Sequence, residues 1–158
     1  MPRTCTFVTA LGRIHLTWTP DGICGLQFHE GLLAHEDKSA PIWVLEAMRR
    51  LMSHLAGQRQ ELGEIPLDLS DLTPFQRHVA EVLRGTRPGQ TISYGEVALL
   101  AGRTGAARAV GQAVKANPIL ILVPCHRVVA SKGPGGWSAF GTPERKERLL
   151  ELERITTG

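Results

Sequence analysis

The chain has 158 residues, 42% of them apolar, which is enough for one sizeable domain or two small ones that share an interface. Its first residues lack an apolar stretch of signal-peptide length, and no uncharged apolar run could span a bilayer, so we expect a cytoplasmic protein without membrane contact. Its three cysteines are an odd number in a chain of ordinary core-forming composition. This argues against a disulfide framework and predicts reduced thiols.

Charge is divided unevenly along the chain. Residues 1–70 carry six Lys and Arg against eight Asp and Glu, a net charge of −2, whereas residues 71–158 carry twelve against seven, a net charge of +5. A basic surface attracts polyanions through the release of counterions, which makes nucleic acid a candidate partner of the second half. A surplus of this size is also common on solvated surfaces, so charge alone does not choose between these interpretations.

The first seventy residues are typical of short strands followed by a helix. Runs rich in Thr, Val, Ile, Phe and Trp at residues 4–9, 13–18 and 23–28, separated by turn-forming residues, predict a β-meander. Apolar residues at three- and four-residue steps then predict a helix before Gly57; they are Ile42, Leu45, Met48, Met52 and Leu55. Residues 65–69 alternate in the manner of an edge strand. We place a domain boundary near Ser70.

The second half has clear helix signals. Thr73 and Gln76 form a capping box that predicts a helix up to Gly85, and its inward positions are Phe75, Val79, Val82 and Leu83. A last helix is expected to start at Thr142 and Pro143, and its inward positions are Leu149, Leu150 and Leu152.

Two short helices between these predict a helix-turn-helix. Ser93 and Glu96 form a second capping box, which opens a helix over residues 94–100. A further helix is expected from about residue 105 to residue 116, where Asn117 and the proline after it end the helix. The small glycine-containing turn between them is typical of the motif.

Arg108 lies in the first turn of the second of these helices, where its charge faces the positive end of the helix dipole. This costs about a few tenths of a kcal/mol, which a contact outside the helix would offset. An ordinary exposed arginine explains the position equally well, because exposed charges of the wrong sign are tolerated within about 1 kcal/mol.

Residues 119–129, ILILVPCHRVV, combine an apolar run with reactive side chains. The apolar residues predict a buried strand that ends at Pro124, directly before Cys125. With His126 as a neighbouring base and Arg127 as a cation, the thiol has surroundings that favour a thiolate nucleophile. The alternative is an inert buried cysteine, because most free cysteines behave as small hydrophobic residues.

A histidine base needs a carboxylate to orient it. Glu151 and Glu153 in the last helix are the candidates. From the residues alone, either of them could equally be solvated helix surface.

Several motifs of the second half occur in the order and spacing of one known family. They are Thr73-Pro74-Phe75-Gln76, Ile92-Ser93-Tyr94-Gly95-Glu96-Val97-Ala98, Ala107-Arg108-Ala109-Val110-Gly111, Asn117-Pro118 and Pro124-Cys125-His126-Arg127-Val128-Val129. With them the chain resembles the O6-alkylguanine-DNA alkyltransferases, the methylated-DNA–protein-cysteine methyltransferases. The likeness is dense from Leu72 to Val129, looser to Leu152 and mostly architectural in the first seventy residues.

The resemblance implies direct reversal of DNA damage. Members of this family bind duplex DNA from the minor groove through the helix-turn-helix and flip O6-alkylguanine, mainly O6-methylguanine, into a pocket. The cysteine matching Cys125 takes the alkyl group irreversibly, so that each molecule reacts once. The histidine matching His126 acts as base through a water, and Glu153 takes the place of the carboxylate that orients it.

The resemblance also implies roles in substrate binding and support. Arg108 enters the duplex to fill the space of the flipped base, and Tyr94 assists flipping and hydrogen-bonds the lesion. Asn117 holds the turn that presents the helix-turn-helix to the active-site strand, and Arg127 pairs across the domain interface. The other positions expected to contact substrate or DNA are Ser93, Ala107, Gly111, Trp137 and Ser138.

Residues 136–141 depart from the family pattern, which usually has Gly, then Tyr or Phe, then a small residue and glycines. Trp137 can still wall the pocket by stacking on the base. Phe140 and the extra length before the last helix leave the size of the alkyl pocket and the Glu153 assignment open.

The implied fold class is α/β, of the α+β kind. Residues 1–70 would form a small antiparallel sheet with a helix, similar to ribonuclease H, as a structural domain. Residues 71–158 would form a helical domain with the helix-turn-helix and the active-site strand, for DNA binding and alkyl transfer. We expect a monomer in the cytoplasm or at the nucleoid; activity on O4-alkylthymine and cooperativity along DNA stay open.

We expect neither a cofactor nor a metal. Some relatives carry a structural zinc in the N-terminal domain, and Cys5, Cys24 and His15 or His29 could supply ligands. The chain lacks the paired Cys-x-x-Cys spacing of such sites, and buried thiols and ordinary strand histidines are the simpler interpretation.

Two other functions are alternatives. One is a sensor that binds alkylated DNA without reacting, but the related alkyltransferase-like proteins replace the cysteine that this chain retains as Cys125. The other is a cysteine hydrolase, which would turn over repeatedly and would leave the helix-turn-helix unexplained.

Overall fold

The computed structural model describes residues 2–30, 39–58, 60–130 and 143–156. Within them the chain forms a mixed α/β fold with a small antiparallel sheet and five α-helices, as predicted. None of the helices in this part of the chain is long and apolar enough to cross a membrane. In chain order the elements are β1 (Arg3–Thr9), β2 (Gly12–Thr19), β3 (Gly22–Phe28), α1 (Ile42–Leu55), α2 (Pro74–Arg84), β4 (Ile92–Ser93), α3 (Tyr94–Leu100), α4 (Ala107–Lys115), β5 (Val128–Val129) and α5 (Pro143–Thr156).

The β-meander predicted for the first thirty residues is confirmed. β1, β2 and β3 pair antiparallel in sequence order. Because successive side chains of a strand point to opposite faces, Ile14, Leu16 and Trp18 of β2 all lie on the buried face. α1 packs against β1, where Cys5 Sγ lies 3.5 Å from Met48 Sδ. The likeness of this half to ribonuclease H stays a prediction.

The apolar positions that indicated α1 only partly coincide with its buried face, since Leu55 is buried but others are exposed. Ile42 is 85% exposed, and Leu45 and Met52 are each 44% exposed. The buried positions are Val44, Ala47, Leu51, His54 and Leu55. Both sets recur at helical spacing, so the sequence pattern alone cannot tell which stripe meets the sheet.

Two later segments of the chain cover the free edge of β3. Ile23 forms a parallel bridge with Leu67, in place of the edge strand predicted there. Leu26 forms a second parallel bridge, with Ile119. A Cβ on Gly22 would lie 2.6 Å from the backbone carbonyl carbon of Leu67, so this close approach requires glycine. The N-terminal sheet is thereby joined to the part of the chain that leads into the candidate site.

α2 begins and ends as predicted. The Thr73 side chain accepts a hydrogen bond from the backbone N–H of Gln76, and the Gln76 side chain accepts one from the backbone of Thr73. In the last turn of α2, Arg84 donates to the backbone carbonyls of Gly63, Ile65 and Leu122. Arg84 therefore ties α2 to both segments on the β3 edge. The domain boundary placed near Ser70 stays a prediction.

α3 and α4 form the predicted helix-turn-helix. The Ser93 hydroxyl accepts a hydrogen bond of 3.1 Å from the backbone N–H of Glu96, completing the second capping box. The turn between the helices uses Gly102 and Gly105, with φ of +85° and +84°, a left-handed conformation that glycine adopts readily. α4 starts two residues later than expected, after Ala106, whose side chain cannot cap it.

Candidate active site

A buried turn, and not a strand, leads to Cys125. Residues 119–123 were predicted to be a strand, but the chain folds back there, with the backbone N–H of Leu122 donating to the Leu120 carbonyl at 2.8 Å. Ile121 has a φ of 72°, a strained left-handed conformation for a β-branched residue. An apolar run of this length fits a buried strand and a buried turn equally well, which is why periodicity misassigned it.

The side chain of Asn117 fastens both ends of this turn. Its Oδ1 accepts from the backbone N–H of Ile119 at 3.0 Å, and its Nδ2 donates to the Val123 carbonyl at 3.0 Å. The turn runs into a 3-10 turn at Cys125–Arg127, and β5 then pairs in parallel with β4. Asn117 thus connects the end of α4 to the reactive segment, the place at which the resemblance puts a turn-holding asparagine.

Cys125 is fully buried. Burial raises the pKa of its thiol to about 12, although a hydrogen bond with Asn117 and the charge of Lys146 act in the opposite direction. The side chain is therefore a neutral thiol at neutral pH. Burial outweighs the neighbouring charges in this state, so the thiolate nucleophile expected from the sequence has to be formed by a base.

Glu153 is the centre of a buried network. Its Oε1 accepts from His126 Nε2 at 2.8 Å and from Arg127 Nε at 3.0 Å. Its Oε2 accepts from Arg127 Nη2 at 2.8 Å and from His54 Nε2 at 3.1 Å. Glu153 is 1% exposed and His126 is completely buried. Of the two candidate carboxylates, Glu153 contacts the histidine, whereas Glu151 is exposed and pairs with an arginine on its own helix.

The electrostatics of this network fix the protonation of His126. Burial raises the pKa of Glu153, but the contacts with His126, His54 and Arg127 outweigh it and hold that pKa far below its usual range, so the group is a carboxylate. Burial lowers the pKa of His126 and outweighs the opposing effect of the Glu153 charge and hydrogen bond, so its imidazole is neutral. Since a carboxylate only accepts hydrogen bonds, Nε2 of His126 carries the proton and Nδ1 is the basic nitrogen.

The partners of Arg127 differ from the expected ones. We expected Arg127 to pair across the domain interface, but its hydrogen bonds go to Glu153 and to Thr86. Both partners lie after the predicted boundary. Side chains that do reach across it include His54, from α1 to Glu153, and Arg84, from α2 to the segment before the boundary. Arg145 of α5 also crosses it, to the Leu11 carbonyl and the Glu30 carboxylate. Arg127 and Glu153 neutralise each other. The charge of Arg127 therefore does not lower the pKa of the Cys125 thiol.

Lys146 is a second cation near Cys125, and it is only 1% exposed. Its Nζ donates to the carbonyl of Val128 at 3.0 Å. Burial lowers the pKa of this ammonium to about 8. Lys146 is therefore largely charged at neutral pH, and that charge lowers the pKa of the Cys125 thiol.

The residues expected to contact DNA lie on the helix-turn-helix. Arg108 is exposed in the first turn of α4 and has no ion pair with any other described residue. Tyr94 begins α3, and its Cε1 would lie 3.8 Å from a Cβ on Gly111 of α4. Ser93 is the N-cap of α3, and Ala107 is the first residue of α4. The structure thus places these five positions on two adjoining helices, but Trp137 and Ser138 lie outside the described residues.

The structure shows where the four candidate zinc ligands of the N-terminal half lie. Cys5 is in the core, Cys24 is half-buried, and the rings of His15 and His29 contact each other with centroids 5.7 Å apart. Among the residues that the structure describes, no group of three or more His, Cys, Asp or Glu side chains could hold a metal ion.

Comparison with known proteins covers both halves of the chain. The profile of the family described as "6-O-methylguanine DNA methyltransferase, DNA binding domain" matches residues 74–155. The methylated-DNA–protein-cysteine methyltransferase of Metallosphaera sedula is 34% identical over 97% of this chain and 94% of that protein. The chain belongs to this family.

Solved structures of the family have the same fold. The Mycobacterium tuberculosis O6-methylguanine methyltransferase is 34% identical, with a TM-score of 0.82 over 98% of this chain and 93% of that one. The M. tuberculosis protein described as OGT in complex with DNA has a TM-score of 0.80 and 35% identity, over 96% of this chain and 92% of that one. The family and the enzyme class expected from the motifs are therefore confirmed.

Two residues of the site, Lys146 and His54, were not predicted from the sequence. A signal for the first exists, because Lys146, Leu149 and Glu153 are three and four residues apart and so share one face of α5. Leu149 was predicted to face inward, so the two charged residues on the same face of the helix, Lys146 and Glu153, should be buried with it. His54 carries no such signal, because its face of α1 could not be chosen from the pattern.

Proposed function

We propose that this protein repairs O6-alkylguanine, mainly O6-methylguanine, in duplex DNA by transferring the alkyl group to its own Cys125. The observation that carries the proposal is a fully buried cysteine, adjacent in the chain to a neutral histidine whose Nε2 is held by an ionised, buried glutamate. Family membership places the chain among proteins of DNA alkyl repair. The individual steps of base extrusion and alkyl transfer are our inference from the geometry.

Burial of the thiol supports extrusion of the damaged base. A sulfur with no exposed surface cannot reach an atom inside a base stack, so the base must come to the sulfur. The helix-turn-helix, approaching from the minor groove, would hold the duplex while Arg108 fills the vacated space. Tyr94, at the start of α3, would hydrogen-bond the extruded base.

His126 supplies the base for the transfer. Nδ1 takes the thiol proton through a water, and Glu153 and Arg127 stabilise the imidazolium and its counter-charge. The thiolate then attacks the alkyl carbon in line; a C–S bond forms as the bond to O6 breaks. The departing guanine takes up the proton, so that overall the thiol hydrogen replaces the alkyl group on guanine. The thioether product is not hydrolysed at this site, so each molecule reacts once.

Mass spectrometry of the protein after incubation with a duplex that contains one O6-methylguanine tests the proposal. We expect one added methyl group per molecule, located on the peptide that contains Cys125 and never exceeding one. Cys125→Ser should bind the same duplex and stay unmodified.

Two outcomes of this experiment would overturn the proposal. An unmodified wild-type peptide at full DNA occupancy, with the lesion intact, would favour the non-reacting sensor. Repeated removal of lesions by one molecule would favour a hydrolase. The experiment should therefore include a limiting-protein arm.

The pH dependence of the reaction tests how the thiolate forms. Because the proton moves from the thiol to the neutral His126 inside the site, we expect a nearly constant rate of reaction with free O6-benzylguanine between pH 6.5 and about 8. Above about pH 8 the rate should fall as Lys146 loses its charge, since that charge stabilises the thiolate. Rates come from single-turnover quench at each pH.

Direct ionisation of the thiol to solvent would give another profile. With a pKa of about 12, the thiolate fraction rises about tenfold for each pH unit across this range. A tenfold rise in rate from pH 7 to pH 8 would therefore contradict the role of His126. Lys146→Met is the matched variant, and it should react more slowly and lose the decline above pH 8.

A further inference from the structure

His54 contacts the active site from the opposite half of the chain. It lies in the penultimate position of α1, is 3% exposed, and its Nε2 is 3.1 Å from Oε2 of Glu153. Since Glu153 is ionised, His54 must be the donor. Nδ1 of His54 is buried and has no hydrogen-bond partner among the described residues. Burying a ring nitrogen without a hydrogen-bond partner costs free energy. The hydrogen bond from the other nitrogen to the charged Glu153 offsets that cost.

The donors to Glu153 are arranged in pairs. Arg127 binds both oxygens side by side, one through Nε and one through Nη2. The two histidines then take one oxygen each, His126 on Oε1 and His54 on Oε2. The carboxylate thereby accepts four hydrogen bonds, two on each oxygen. With His54 removed, Oε2 keeps only one donor, and the carboxylate can tilt toward the vacancy and away from His126.

We propose that His54 is a positioning residue for alkyl transfer. Its Nε2–H holds Oε2 of Glu153 so that Oε1 stays on Nε2 of His126, which keeps the basic Nδ1 of that histidine available and correctly placed. His54 touches neither the thiol nor a substrate in this role. It acts through Glu153, and it makes the N-terminal half part of the catalytic apparatus. The inference rests on the alkyl-transfer function proposed above.

Three substitutions test whether His54 acts as a hydrogen-bond donor or only fills space. His54→Phe and His54→Leu remove the donor and retain an apolar side chain, whereas His54→Gln retains an N–H that can reach the same oxygen. We expect the first two to slow methyl transfer to Cys125 about tenfold, because an acid-base group contributes about 10²–10⁴ to the rate and only its alignment is lost. His54→Gln should recover most of the rate.

NMR of the imidazole groups gives a readout that packing alone would not change. In the protein labelled with ¹⁵N-histidine, the Nε2–H proton of His126 should be a sharp, slowly exchanging downfield signal. It should stay so in His54→Gln and broaden through exchange in His54→Phe and His54→Leu. This readout does not require any alkyl transfer, so it tests the positioning role even if the wild-type protein does not methylate Cys125.

The control is Leu51→Val, which loosens the packing of the same helix without removing a donor. It should keep the wild-type rate and the wild-type His126 signal. A His54→Phe or His54→Leu variant with both readouts unchanged would overturn the proposal. So would a His54→Gln variant as slow as these two, because the rate would then follow packing and not the donor. If the Phe variant does not fold, the Leu and Gln variants decide.

Discussion

Glu153→Gln is expected to lose nearly all alkyl-transfer activity, by about 10³-fold, and to lower the free energy of unfolding by about 3–5 kcal/mol. Both oxygens of Glu153 accept a hydrogen bond from Arg127, one at 3.0 Å and the other at 2.8 Å. An amide has only one oxygen, so its NH2 group would face an Arg127 donor in either orientation. The buried cation would then be left without its counter-charge.

The same substitution also disturbs the base. If the NH2 group of the glutamine faces His126, it donates to Nε2 and forces the histidine proton onto Nδ1, the nitrogen that should accept the thiol proton. If it faces His54 instead, that histidine loses its acceptor. Neither orientation preserves both contacts. The effect on rate should therefore exceed what the loss of stability explains, even under conditions in which the variant is fully folded.

Single-turnover methyl transfer and urea unfolding, measured on the same preparation, check this prediction. Glu151→Gln is the matched control, because Glu151 lies on the same helix but is exposed and pairs with the exposed Arg154. Exposed pairs contribute about 0–1 kcal/mol, so that variant should resemble the wild type. A Glu153→Gln protein that reacts within a few fold of the wild-type rate would show that His126 does not need this carboxylate.

Local signals predicted most of the secondary structure of the second half. Thr73 with Gln76 and Ser93 with Glu96 form capping boxes, and the first residues of α2 and α3 follow from them. Such boxes depend on a few adjacent residues and on backbone geometry, both of which the sequence contains. The start of α4 was less accurate because Ala106 offers no side-chain cap.

Features that depend on distant contacts were not predictable from the pattern. α1 has two apolar stripes, and only the position of the sheet decides that Val44 and Leu51 are buried and Ile42 exposed. The apolar run before Cys125 became a turn because Asn117 and the β3 edge engage its ends. His54 joins a carboxylate 99 positions away along the chain, a separation over which no periodicity operates.

The candidate site likewise has features that the sequence predicted and features that it could not predict. The motif around Cys125 and its family resemblance indicated which residue types should act together, and the structure brings Cys125, His126 and Glu153 into one buried region. The protonation state was not predictable, because it depends on burial. The sequence places a base, His126, and a cation, Arg127, beside the thiol, but Glu153 neutralises Arg127 and the sulfur has no contact with solvent. We therefore expect the thiol to be a resting form that His126 makes reactive.

Arg108→Ala is expected to separate the reaction with DNA from the reaction with a free base. We expect transfer from an O6-methylguanine duplex to slow by about 100-fold at saturating DNA, and transfer from free O6-benzylguanine to change by less than about threefold. Extrusion costs a few kcal/mol, and about 2.7 kcal/mol corresponds to 100-fold in rate, whereas the free base requires no extrusion. Arg108 is exposed at the start of α4, so its truncation should not alter the core.

Lys115→Ala is the matched control for Arg108→Ala, because it removes a cation from the exposed surface at the other end of the same helix. If the cation contacts a DNA phosphate, its removal should weaken duplex binding. It should also reduce the slope of log K against log salt concentration by about one. At saturating DNA this loss disappears, so Lys115→Ala should react at nearly the wild-type rate while Arg108→Ala stays slow. Equal losses on the duplex and the free base would place Arg108 in the chemistry of the pocket or in folding, and would rule out a role confined to extrusion. The difference between two cations on one helix thus isolates what the position of Arg108 contributes beyond its charge.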